Sequence, residues 1–166
     1  MTTNTVPLEH LQEATKLTAD AVVDLFELTL SGTVSTVITR FKDGKTATWQ
    51  GNLYENLACN ITGVSRHSTE EKTRPTLTIL NPLGIFTATA FSGYLDGAKL
   101  IRRRVLRTHL ENNINISEAQ YWIVSRPSNI VSGQSCSLEL RSAADGPDSF
   151  LPARRYMPPD FPFVKL

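Results

Sequence analysis

The sequence predicts a mainly β protein, a sandwich or barrel with an N-terminal helix and one short internal helix. Three observations predict it. Apolar residues recur at every second position in several short runs. Turn-forming residues separate those runs at short intervals. Only two segments carry a helical pattern.

The elements follow in order. "VPLEHLQEATKLTADAV" places Val6, Leu8, Leu11, Ala14 and Leu17 at about helical spacing, and Pro7 suits a first helical turn. The period then changes. "VVDLFELTL" alternates through Val22, Phe26, Leu28 and Leu30, with Asp24 as an interruption, and reads as a strand. "SGT" breaks it, and "VSTVITRF" is rich in β-branched strand formers. "KDGK" reads as a hairpin turn, because Asp-Gly tolerates positive φ. "TATWQGNLYENLACNIT" gives a short strand, a turn at Gln50-Gly51-Asn52 and a further strand.

Residues 63–75 form a polar loop, and "PTLTILNP" is a strand that stops at Asn81-Pro82. "LGIFTATAFSGYLDG" has the length and alanine content of one short helix. Residues 98–110 hold the most charged stretch of the chain and read as a strand. "EAQYWIVSRP" and "QSCSLELRSA" are two strands joined by "SNIVSG". This sums to about eight short strands and no repeat. The last stretch, "ADGPDSFLPARRYMPPDFPFVKL", holds five of the nine prolines and cannot stay regular for long. The chain therefore divides into a β-rich domain with its N-terminal helix, 1–150, and an extended Pro/aromatic arm, 151–166.

Composition narrows the function. Lys and Arg number 17 against 16 Asp and Glu, a net charge of +1. A module that holds nucleic acid through its phosphates carries a clear basic excess, and this chain has none. A length of 166 residues fits one domain with short appendages and buries roughly two-thirds of its unfolded surface without disulfide or metal. Cys59 and Cys136 follow no metal-ligand spacing and are expected as free thiols in strands. No signal peptide or membrane span is expected, which points to a reducing cytoplasm.

The search for catalytic chemistry finds no Walker-type glycine loop, no nucleophile elbow, no H-E-x-x-H and no C-x-x-C. His10, His67 and His109 lie in separate segments. His67 beside "STEE" is a solvated loop rather than half of a site, because a lone pair lacks a nucleophile. Asp20 and Asp24 lack a cleft on which to converge. Trp49, Tyr54, Tyr121 and Trp122 read mostly as core aromatics. The chain is expected not to be an enzyme and to hold no metal.

What remains is "KLIRRRVLR". As a strand it puts Leu100, Arg102, Arg104 and Leu106 on one face and Ile101, Arg103, Val105 and Arg107 on the other. Neither face is purely apolar. Guanidinium forks match carboxylates, so the pattern points to partner contact. The competing assignment is a small nucleic-acid-binding module using Arg102 to Arg107.

Several segments resemble one family, in order, over about 150 residues. They are "LQEATKLTADAVVDLFELTL", "WQGNLYENLACNITGV", "TRPTLTILNPLG", "LDGAKLIRRRVLRTHL", "YWIVSRPSN", "LELRSAADGP" and "LPARR". The chain resembles the phage minor tail protein L family of long-tailed bacterial viruses. The resemblance implies a β-rich fold related to tail-tube and baseplate-hub proteins. It implies a virion structural protein of the tail tip, a ring of three or six copies joining the tube end to the central tip or fibre protein. Implied partners are its own copies, tail-tube or distal tail proteins, the central tip or fibre protein and the tape-measure protein, with neither specific nucleic-acid binding nor membrane insertion. Assembly would take place in the host cytoplasm. Longer members continue into a cysteine-containing region associated with an iron–sulfur cluster. This sequence has no cysteine after Cys136, so no cofactor is expected.

In such a ring Arg102, Arg103, Arg104 and Arg107 would bond carboxylates of neighbouring subunits. Arg154 and Arg155 would fix the exit of the arm, and Tyr156, Phe161 and Phe163 would anchor it, since aromatic rings among prolines cannot bury themselves by folding back.

Overall fold

A computed structural model describes residues 6–16, 20–32, 38–64, 74–80, 84–131 and 133–142. The polar loop between 65 and 73 and the arm, with Arg154, Arg155, Tyr156, Phe161 and Phe163, lie outside the described residues, as does the division at 150.

The protein is mainly β, with an N-terminal helix, as the patterning predicts. The elements are α1 (Leu8–Ala14), β1 (Val22–Thr29), β2 (Ile38–Lys42), β3 (Ala47–Trp49), β4 (Asn52–Asn56), β5 (Cys59–Thr62), β6 (Thr76–Leu80), α2 (Ile85–Phe91), β7 (Lys99–Leu106), α3 (Arg107–Glu111), β8 (Glu118–Val131) and β9 (Ser135–Arg141). The nine strands form one sheet, in the order β3-β4-β2-β1-β7-β8-β9-β6-β5.

The sheet closes on itself. Only Leu57 and Ala58 separate β4 from β5, so its two ends meet in one stretch of chain, 52–62. The Leu57 amide donates to Lys42 O at the end of β2, and the Leu80 amide at the end of β6 donates to Ala58 O. β4 runs parallel to β2 while β5 runs antiparallel to β6. One strand thus bonds β2 on one edge and β6 on the other, and the wall becomes a barrel. A barrel encloses its inward residues as a core. That core holds Phe26, Leu28, Phe41, Leu77, Ile79, Leu100, Val124, Leu138 and Leu140, all buried, and α2 adds Phe86. Phe26 and Phe41 stack with ring centroids 5.5 Å apart. Each fully buried aliphatic side chain contributes about 1.5–3 kcal/mol. A second cluster, Leu25, Trp49, Tyr54 and Val105, lies on the opposite face of β1 and β7, with Leu110 of α3 packed against it.

Four details differ from the sequence reading. First, the N-terminal helix stops at Ala14. The Thr15 hydroxyl bonds back to Gln12 O, and the Asp20 amide donates to the Glu13 carboxylate, turning the chain into β1. Second, "KDGK" turns the chain without making a hairpin. β2 pairs with β4, and the Lys42 ammonium closes the turn on Asp43 O and Lys45 O. The hairpin is β3–β4, around Gln50 (φ 51°) and Gly51 (φ 74°), as the primed turns require. Third, the arginine strand ends at Leu106. Arg107 opens a short helix, its amide tied to Ala21 O. Fourth, β8 runs through Pro127 and "SNIV" to Val131. Register shifts between Val124 and Arg126 and between Pro127 and Asn129 accommodate the proline that would otherwise break the ladder.

Candidate functional site

The arginines of β7 mark the site. The register sets β7 between β1 and β8, with Arg104 opposite both Asp24 and Glu118, and Arg102 opposite Phe26 and Gln120. Because side chains alternate, Arg102 and Arg104 face the barrel interior with Asp24, Glu118 and Gln120, while Arg103 faces outward with Glu27.

Inside, the Arg102 Nη2 donates to Asp24 Oδ2 at 2.6 Å, and its Nη1 donates to Gln120 Oε1 at 3.3 Å. The Arg104 Nη1 donates to Glu118 Oε2 at 3.5 Å, and its Nε lies 3.8 Å from Asp24 Oδ1. Gln120 Nε2 donates to Glu118 Oε1 at 3.0 Å. Two guanidinium groups meet two carboxylates, so the cluster carries no formal net charge. It occupies one end of the interior, beneath α1, where a cleft of about 690 Å³ is lined by His10, Glu13, Arg102, Arg104, Glu118 and Gln120.

Outside, the Arg103 Nε donates to Glu27 Oε1 at 3.1 Å, and its guanidinium lies 5.9 Å from the Trp49 ring centroid. The Tyr54 hydroxyl donates to the same Glu27 oxygen at 2.6 Å. Burial, then the Glu27 hydrogen bond and charge, raise the Tyr54 phenol well above its ordinary range, so it stays a donor. Trp49 Nε1 donates to Ile114 O at 3.0 Å. Glu27 therefore clamps the β3–β4 hairpin onto β7.

Arg102, Arg103 and Arg104 thus have carboxylate partners within the chain, on β1 and β8, where the sequence reading looked to neighbouring subunits. Arg107 stands apart, exposed at the start of α3. The partners missed in the sequence are Asp24 and Glu27 of β1 and Glu118 of β8. Two acids in a strand with alternating apolar residues, and a second strand with arginines on both faces, were the available signal.

The cysteines share the apolar part of the interior. Cys59 of β5 and Cys136 of β9 both lie opposite Ile79 of β6, so one strand stands between them. Strand spacing sets them about 10 Å apart, too far for a disulfide. Burial pushes the Cys59 thiol up to about 12 and the Cys136 thiol to about 11. Two protonated thiols held apart, Cys136 buried in the core and Cys59 half-buried at its edge, do not fit an iron–sulfur cluster, which takes thiolates. Neither is expected to react with a thiol reagent such as DTNB at pH 8 while the protein is folded, and both should react in guanidinium chloride. Rapid labelling of the native protein would contradict their placement.

Among the described residues no three His, Cys, Asp or Glu side chains form a group able to hold a metal ion, and no helix is long and apolar enough to cross a membrane.

A profile of phage minor tail protein L matches residues 34–158. The chain belongs to the phage minor tail protein L family. The matched span includes β2 to β9 and so the whole arginine strand with its β8 partners, while α1 and β1 precede it. Comparison with curated protein sequences gave no match. Membership makes the chain a structural protein of a phage tail, which places it in the virion.

Proposed function

We propose that this minor tail protein is a tail-tip subunit, assembling into a ring of three or six copies that joins the end of the tail tube to the central tip or fibre protein. It acts by contact and carries out no reaction. The family match is the observation that carries this reading. The surface supports it. Phe91 is 88% exposed, and Leu80, Tyr94 and Ile38 are also exposed, which suits a chain covered by other tail components. The arm, with Tyr156, Phe161 and Phe163 and its Arg154-Arg155 pair, supplies anchors for a neighbour. Of the four arginines in this stretch, Arg107 is the one exposed enough for a carboxylate on an adjoining subunit.

The nucleic-acid assignment loses its main support. Phosphate recognition needs cations that can exchange counterions for the backbone. Arg102 and Arg104 face inward and are held by carboxylates, and Arg103 is stacked and paired.

The test is assembly. Deleting residues 156–166, or making Arg107→Glu, should leave the melting temperature of the free protein within about 2 °C, the size of a small surface effect. Both variants should fail to complement tail assembly, and a particle reconstruction should show the chain as a closed ring at the tip. Variants that enter particles normally would remove the arm and Arg107 from the interface. Duplex DNA binding at physiological salt, lost in Arg107→Glu, would favour the nucleic-acid module instead.

A further inference from the structure

α1 rests on the charged end of the barrel without a core of its own. None of its residues is buried, Pro7 gives it no side-chain cap, and Leu8 and Leu11 are 68% and 54% exposed. A seven-residue helix is not stable alone in water, so its docking decides whether it exists. Its polar fastenings are few. The Glu13 carboxylate accepts from the Asp20 amide, and the Asp20 carboxylate accepts from the Thr108 amide and hydroxyl on α3. Between these elements His10 of α1 faces His109 of α3, with ring centroids 6.4 Å apart and planes tilted by 46°. His10 Nε2 and His109 Nδ1 are both buried with no hydrogen-bond partner.

We propose that α1 is an acid-released lid over the charged mouth of the barrel, with the His10–His109 pair as its trigger. Two neutral imidazoles can share this space. Two imidazolium ions cannot do so without mutual repulsion, and Arg104 of β7 adds a third cation nearby. Glu118 of β8 and Glu9 of α1 act the other way, but Glu118 already accepts from Arg104 and Gln120. Arg102, Glu13 and Asp20 complete the charged lining of the cleft.

The sign follows from linkage. Burial, ahead of the charges, lowers the His10 pKa below its ordinary 6.5. The docked state therefore binds fewer protons than the released one. Docking is fully present above the ordinary histidine value and is lost as pH falls through the lowered one. The Glu13 and Asp20 fastenings do not titrate in this window. Hydrogen bonds hold both carboxyls below their ordinary values, from Lys16 and the Asp20 amide for Glu13 and from Thr108 for Asp20. Between the ordinary and the lowered value the docked-to-released ratio falls by up to about tenfold per pH unit for each proton taken up, and below the lowered value it levels off. Release would open the Arg102–Asp24–Arg104–Glu118 cluster to solvent and free Leu8 and Leu11.

The test is the backbone amide spectrum of the ¹⁵N-labelled full chain, titrated from pH 7.5 to 5.0. Amides of residues 8–14 are expected to move from helical to random-coil positions below about pH 6.5, while β1, β7 and β8 amides hold. In His10→Gln the movement should disappear. In His109→Gln, which removes the second charge but leaves α1 intact, its midpoint should fall to lower pH. Helical α1 amides in the wild-type chain at pH 5.0 would overturn the proposal. If His10→Gln releases α1 at neutral pH by itself, His109→Gln decides, and an unchanged midpoint there would also overturn it.

Discussion

Glu27→Ala is expected to cost about 3 kcal/mol and to lower the melting temperature by roughly 6–12 °C. Glu27 is 9% exposed, and one of its oxygens takes hydrogen bonds from both Tyr54 and Arg103. Alanine removes the acceptor and leaves two donors. One is a guanidinium whose side chain is 28% exposed, so water recovers part of its solvation. The other is a phenol on a fully buried tyrosine, which water does not reach. An unsatisfied buried donor carries its whole desolvation cost, which is why the loss exceeds the net worth of either bond. Glu27→Gln keeps an acceptor and gives up the charge, so a smaller loss of about 1–2 kcal/mol is expected. Because Tyr54 belongs to β4 and Arg103 to β7, the loss also loosens the hairpin, and Trp49 fluorescence should report it before global unfolding. A Glu27→Ala protein that melts within a degree or two of the parent would mean the clamp is ornamental.

The same geometry changes how the arginines can be tested. Reversing Arg103 to Glu sets a second carboxylate against Glu27, and reversing Arg104 sets one against Glu118. Both would unfold the barrel locally, so failure to assemble would say nothing about a subunit interface. Arg107→Glu disturbs less, because Arg107 is exposed past the end of the strand and sets its new carboxylate near Asp20 instead of in the interior.

How far the sequence reached is clearest along β1. Phe26 and Leu28 announce an inward face by their spacing, and both prove to be core. Asp24 is on the same face, and by local pattern alone it reads as an interruption. Its reason lies 78 residues away in Arg102. Pairings of that range leave no trace in a single sequence. The barrel closure is hidden for a related reason. "NLYENLACNIT" reads as a strand, but nothing in it says that its two edges serve different neighbours, β2 and β6. The "KDGK" turn misled in the opposite direction. Asp-Gly chemistry permits a hairpin, yet β2 finds a better partner in β4, and tertiary pairing overrides the local signal. The arginines showed plainly that partners were needed. Residue type alone could not say whether those partners belonged to this chain or to another.

Asp24→Ala is the second large effect expected, about 3 kcal/mol. Asp24 is the shared counter-ion of the interior cluster, bonded to Arg102 at 2.6 Å and close to Arg104 at 3.8 Å. The two sides of the pair are not equivalent. The Arg102 side chain is 12% exposed and that of Asp24 is 31% exposed. Without Asp24, Arg102 keeps only the Gln120 carbonyl oxygen and little solvent, while a lone Asp24 keeps more solvent and Arg104. Arg102→Met should accordingly cost less than Asp24→Ala, although it removes the larger side chain. Replacing both, as Asp24→Leu with Arg102→Met, withdraws both charges together and fills the interior with apolar groups. That double variant should recover most of the loss and melt close to the parent, since a buried ion pair gains little over well-packed hydrophobes. Urea or thermal melts of the three proteins decide the matter. A double variant no more stable than Asp24→Ala would mean that the pair supplies net stability of its own. A double variant that folds but cannot enter tails would instead give the cluster a role in assembly, beyond holding the barrel together.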